Sequence, residues 1–292
     1  MRHQGRAEAE ASADVDDAAV GQADQAGHGR HPEIAAHSVP VTPTAFPAGG
    51  INYERLYTYR FRDIDQAGRQ AVWREIARYA YGRMGAPQRV LDPAAGRGEF
   101  ITAVPAAERW GVDLVGQGVL ESAGVNMIIS DIMDAALPGD YFDGVFLSNF
   151  LEHLTGQNAV AAVLGKLHAA MEQGGRIAVI GPNFRYCARE YFDCADHTVI
   201  LTHVAVAEHL YAAGFTVTAV VPRFLPYSFR GLLPPSPLLT RIYLRTPPLW
   251  LLLGKQFLLL ASKQGAARNS AQPAGPRSYP ATPTPGRRHR MP

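Results

Sequence analysis

The chain has 292 residues, 47% of them hydrophobic, which is enough for one sizeable core or two small ones. A formal charge of +2 at pH 7 is close to balance and excludes a protein that holds nucleic acid through a global basic field. Only two cysteines occur, Cys187 and Cys194, seven apart and without zinc-site spacing. They read as free thiols in a reducing, cytoplasmic setting rather than as a disulfide framework.

Residues 1–48 are rich in Ala, Asp, Gly and His and carry no hydrophobic period, so they read as a disordered segment. The first residues lack the apolar stretch of a signal peptide. The irregular spacing of His3, His28, His31 and His37 argues against a metal site there. An aromatic–arginine stretch follows, with Tyr53, Tyr57, Tyr59, Arg60, Phe61 and Arg62. Val72, Trp73, Ile76 and Ala80 then recur at helical spacing and predict a helix over 66–81.

The central motif spans 88–100. Val90-Leu91 is a short buried strand, Asp92 stands at its end, and Ala94, Ala95, Gly96 and Gly98 fill the turn with small residues. Small side chains let a ligand approach the backbone. Glu99-Phe100-Ile101 opens a helical pattern, which would complete a nucleotide-binding βα unit. A second strand near 110–114 carries Asp113, where a doubly wound fold grips ribose hydroxyls. A third, near 125–131, ends in Asp131-Ile132, and a fourth, 142–148, runs into Asn149-Phe150-Leu151-Glu152-His153. A helix over 156–172 should stop at Gly174-Gly175, and the apolar run 176–181 suits a parallel strand covered on both faces.

The connection 182–202 lies where such folds keep their ligand crevice, and it holds Phe184, Tyr191, Asp193, Asp196 and His197. Thr202 caps a helix to about 213, and strand six is 215–221. Residues 223–256 form an apolar insertion with Leu238, Leu239, Ile242 and Tyr243 on one helical face, before a last strand at 257–262. It is too interrupted to span a membrane, so it either completes the core as a lid or rests on a membrane surface through 237–253. Residues 264–292 read as a disordered basic tail.

The turn at 91–98, Asp113, the Ser130-Asp131-Ile132 step and the run from Phe142 through Leu154 together resemble the class I S-adenosylmethionine-dependent methyltransferases of small-molecule type. The resemblance covers about residues 51–263. Ala94 and Pro93 depart from the usual first glycine. It implies an α/β, Rossmann-like, doubly wound sheet of seven strands with helices on both faces and the last strand antiparallel. It also implies S-adenosyl-L-methionine as cofactor. Asp92 would face the amino group, Ala94, Ala95, Gly96 and Gly98 the methionine part and ribose, Asp113 the ribose hydroxyls, Asp131 and Ile132 the adenine. Asn149 and Phe150 would lie beside the methionine. Arg60 or Arg62 would either pair with the methionine carboxylate or form a surface cluster with the neighbouring aromatics.

An oxygen acceptor also requires proton removal, for which His197 is the first candidate base, oriented by Asp193 or Asp196, and His153 the second. The expected acceptor is a small molecule, a glycan or a lipid-like compound, with no nucleic acid and no metal. The alternatives are an NAD(P)-dependent oxidoreductase, which wants the full G-x-G-x-x-G spacing, and a non-catalytic nucleotide-binding module.

Overall fold

The computed structural model describes residues 51–116, 118–227 and 235–264, so the segments expected to be disordered, 1–48 and, apart from Gln264, 264–292, lie outside the described residues. Helix α1 (Tyr53–Phe61) and helix α2 (Gln66–Arg83) precede strand β1 (Arg89–Asp92). Then follow β2 (Glu108–Asp113), α3 (Gly118–Ser122), β3 (Asn126–Ile129), β4 (Phe142–Ser148), α4 (Gln157–Ala170) and β5 (Met171–Pro182). The chain continues through α5 (Phe184–Cys187), α6 (His203–Ala212), β6 (Phe215–Val221), α7 (Pro237–Leu244), α8 (Pro247–Leu253) and β7 (Gln256–Lys263).

The seven strands form one sheet in the order β3-β2-β1-β4-β5-β7-β6. β7 runs antiparallel to both of its neighbours, and the other pairs are parallel. Alternation along the strands divides the core in two. Leu91, Val145, Ile177, Val179 and Leu259 pack with Val160, Val163, Leu164 and Leu167 of α4 and with Val206 and Leu210 of α6. Val90, Phe146, Ala178, Ile180 and Leu258 point the other way, onto Val72, Trp73, Ile76 and Ala80 of α2 and Trp250 of α8. This period of two is what a strand buried on both faces imposes.

Three local expectations change. No helix forms after the turn at 93–98: residues 99–104 make successive turns, with Thr102 N–H on Gly98 O at 3.0 Å and Ala103 N–H on Phe100 O at 2.9 Å. Pro105 cuts the run short before β2 begins at Glu108, so no helical ladder can extend. Helix α4 ends at Ala170 rather than at the paired glycines. Gly174 (φ +85°) and Gly175 instead form an irregularity inside β5, where a Cβ on Gly175 would meet Glu172 O at 2.9 Å and Phe142 O at 3.0 Å. The third strand stops at Ile129, so Asp131 sits in the following turn.

The described residues of the insertion form two short helices. Each has proline at its start, and α7 is capped by the Ser236 hydroxyl on Leu239 N–H. Leu244 and Trp250 are the buried residues of α7 and α8, whereas Leu238, Leu239 and Ile242 face outward with Leu251, Leu252 and Leu253.

Candidate active site

The order reverses between β1 and β4, so their carboxyl ends flank the crevice in which doubly wound sheets bind ligands. Asp92 closes β1 and is 5% exposed. Its one backbone donor is the Ala94 amide at 3.3 Å. Burial pushes its pKa up to about 8, and Asp113 and Glu99 add repulsion. A buried acid so poorly satisfied fits a cationic or amine ligand.

Asp113 ends β2 and ties the turn to that strand. One carboxylate oxygen accepts from Gly96 N–H at 2.7 Å and the other from Val115 N–H at 3.0 Å, while Ala95 N–H donates to Val112 O at 2.9 Å. Burial raises the Asp113 pKa against these amide bonds. A carboxylate offers about four acceptor sites, so these amides do not use up its capacity and room remains for a ligand hydroxyl. Gly96 has φ +52°, and a Cβ added there would meet nothing within 4 Å. At Gly96 the turn therefore faces open space, whereas Gly98 is buried and a Cβ there would collide with Leu120.

Asp131 is exposed, and one of its oxygens accepts from Met133 N–H at 2.7 Å. Its loop is tied to β2 by Ser130 N–H on Asp113 O at 2.9 Å. Ile132 is buried in the α4 side of the core. Asn149 follows β4 with φ +48° and donates its N–H to Ile180 O at 2.9 Å, and Phe150 is half-buried beside it. A non-glycine residue in this region is uncommon and marks the switch point as strained.

Beyond β4, the chain turns through Leu151–His153 and meets the connection after β5. Glu152 is 2% exposed, and burial raises its pKa, with His153 lowering it. His153 Nδ1 lies 3.1 Å from Asp196 O and 3.3 Å from Asp196 Oδ2. Its Nε2 lies 3.9 Å from Glu152 Oε1. Asp196 is fully buried in its side chain and also holds Arg60 of α1, which keeps its carboxylate ionised against burial. Arg60, one of the two arginines expected to meet the methionine carboxylate, is thus paired within the protein, and Arg62 pairs with Asp63.

His197 lies beside His153, with ring centroids 4.9 Å apart, and against Tyr191 at 4.8 Å. Its Nδ1 is buried without a hydrogen-bond partner. Burial, then His153, lowers its pKa to about 4. Of the two acids expected to orient it, Asp196 engages His153 instead, and Asp193 is exposed. Tyr57 of α1 spans both regions: burial, then Asp196, and more weakly Asp113, push its hydroxyl up to about 12.

The structure thus brings together Asp92, Asp113 and the turn on one side of the switch point. It brings together Glu152, His153, Asp196 and His197 on the other. Glu152 and Tyr57 carried no role in the sequence reading. An acid inside the apolar run Phe146–Leu154 is the signal for Glu152; nothing local announces Tyr57, whose position depends on how α1 folds back.

Residues 91–179 match a family model described as a methyltransferase domain. That stretch is similar to a methyltransferase domain, and the sheet around it has the strand order and antiparallel last strand that the resemblance to class I S-adenosylmethionine-dependent methyltransferases implies. Among solved structures, the chain is similar to an S-adenosylmethionine-dependent methyltransferase of Archaeoglobus fulgidus, at 20% identity and TM-score 0.52, over 73% of this chain and 100% of the other. It is similar to one of Thermotoga maritima, at 14% identity and TM-score 0.51, over 73% and 96%. A third likeness, at 13% identity and TM-score 0.51 over 73% and 97%, is to a Haloferax volcanii complex of the Trm112 methyltransferase activator with a methyltransferase. At these identities the likeness is one of fold. No curated protein matches the chain.

Proposed function

We propose that this protein is an S-adenosylmethionine-dependent methyltransferase that moves a methyl group to an oxygen of a small-molecule, glycan or lipid-like acceptor. S-adenosylmethionine, when bound, supplies a methyl already activated by its sulfonium. The chain's task is to hold both partners in line and exclude water. Asp92 accepts from the amino group, and the Ala94–Gly98 turn carries the methionine part and ribose. Asp113 accepts from the ribose hydroxyls and Asp131 from the adenine amine, with Ile132, Asn149 and Phe150 beside them.

The observation that carries the acceptor reading is the buried polar cluster of Glu152, His153, Asp196 and His197 across the switch point from Asp92 and Asp113. An acceptor hydroxyl must lose a proton, and the two histidines handle it. The exposed leucines of α7 and α8 support a lipid-like acceptor met at a membrane surface through 237–253. No helix among the described residues is long and apolar enough to cross a membrane.

The test is methyl transfer from labelled donor to a panel of hydroxylated small molecules, glycans and lipids. Transfer to an oxygen of one class is expected. His153→Ala and His197→Ala should each lower kcat by about 10²–10⁴ while leaving S-adenosylhomocysteine affinity within a few-fold. Transfer only to nucleic acid or protein, or full activity in both variants, would overturn the reading.

A further inference from the structure

The cluster beyond β4 has a geometry that hydrogen bonding alone does not account for. Glu152, His153 and His197 each offer one ligand atom, and these atoms all lie within 4.8 Å of one another. A tetrahedral ion with bonds of about 2.0–2.2 Å holds its ligands roughly 3.4 Å apart. The trio would therefore close on a cation by drawing in about 1 Å.

Three further features agree with such a site. Asp196 takes Nδ1 of His153, which leaves Nε2 facing Glu152 Oε1 at 3.9 Å. A carboxylate that fixes one imidazole nitrogen and frees the other is the usual support of a metal-bound histidine. Arg60 in turn pairs with Asp196 and holds that support. His197, 9% exposed, keeps Nδ1 buried without any partner, a group that ordinarily demands an explanation. Three such ligands leave a further coordination position for a ligand oxygen, the pattern of a catalytic rather than a structural site.

We infer that Glu152, His153 and His197 form a binding site for one divalent transition-metal ion of the zinc or manganese type, with Asp196 as the positioning residue. The inference deepens the reading of this cluster as the acceptor end. A bound cation would take the acceptor oxygen as ligand and acidify its hydroxyl, whose proton would pass to solvent water, with the imidazoles serving as ligands in place of the base.

The test is titration of the metal-stripped full-length chain with Co²⁺, read by visible absorption, followed by competition with Zn²⁺. One saturable Co²⁺ per chain, displaced by Zn²⁺, is expected. Glu152→Gln and His197→Ala should each weaken binding at least about 100-fold, and Asp196→Asn about 10–100-fold, with circular dichroism unchanged. Asp113→Asn, which alters the donor side only, should bind Co²⁺ as the parent does. Failure of the acceptor reading would thus leave metal binding intact and be distinguishable. Absence of a 1:1 site, or binding unaffected by both Glu152→Gln and His197→Ala, would overturn the inference.

Discussion

Asp92 holds a proton in the folded protein that the unfolded chain has already released. Its folded pKa is about 8, because burial outweighs the single amide bond from Ala94. Unfolded, it titrates near 4. A raised folded value gives stability that is fully present below the unfolded pKa and is lost as pH rises through about 8. The ligand-free protein should therefore lose thermal stability between about pH 4 and pH 8, and Asp92→Asn should flatten that slope in melts followed by circular dichroism. The same substitution removes a charge-assisted hydrogen bond worth about 1.5–3 kcal/mol, so S-adenosylhomocysteine should bind about 10–100-fold more weakly. An unchanged slope would show that the buried proton is not on Asp92. At this scale the meeting of Asp92, Asp113 and the small-residue turn was legible, because each acid ends a strand and those two strands are neighbours in the sheet. The partners of Arg60 and His153 were not legible. They meet Asp196 across more than 40 residues, and such pairings depend on tertiary folding rather than local pattern.

At the scale of elements, helix α2 and helix α7 are joined by one carboxylate. Glu75 accepts from Arg241 Nε at 3.0 Å and Nη2 at 2.8 Å, and from Arg78 at 2.7 Å. Arg241 first, then Arg78, hold its pKa down to about 2. Its contribution is present above the unfolded value near 4.5 and is lost as pH falls toward 2. Because Arg241 is exposed, the loss on Glu75→Gln should be only about 1–2 kcal/mol, seen in denaturant unfolding at pH 7 and much reduced at pH 3. An equal loss at both values would place the effect in packing. The strands and the α2, α4 and α6 helices were readable because their apolar periods are long and unambiguous. The missing helix after the 93–98 turn was not, because Glu99-Phe100-Ile101 has helical spacing but Pro105 leaves it no room. The insertion misled in another way. Leu238, Leu239, Ile242 and Tyr243 were expected on one helical face, yet only Tyr243, whose hydroxyl donates to Phe224 O at 2.6 Å, packs inward with Leu244, and the other three are exposed.

The whole molecule is charged unevenly. No aspartate or glutamate occurs after Glu208, while eleven lysines and arginines do, so the chain's near-neutral balance conceals a basic carboxyl-terminal part. That part includes α7 and α8, where Leu251, Leu252 and Leu253 are 67%, 73% and 53% exposed beside the exposed Arg245. Arg241, Lys255 and Lys263 pair with Glu75, Glu190 and Asp140, so the face that suits an anionic bilayer surface is that of the exposed leucines and Arg245. The protein should co-sediment with phosphatidylserine vesicles at low salt and release at high salt. Leu238→Ser, Leu251→Ser and Leu252→Ser together should reduce partitioning by at least about tenfold, from the apolar area withdrawn. Equal binding to neutral vesicles, or none to either, would remove the membrane from the account.

The two sides of the switch point depend on one claim, that Asp92, Asp113 and the bare turn between them receive the methyl donor. Calorimetric titration of the full-length protein with S-adenosylhomocysteine tests it most directly, with Asp113→Asn as the comparison. The account predicts one saturable site per chain in the parent and an affinity lower by about 10–100-fold in the variant. A parent that binds no S-adenosylhomocysteine, or a variant that binds it equally well, would contradict it.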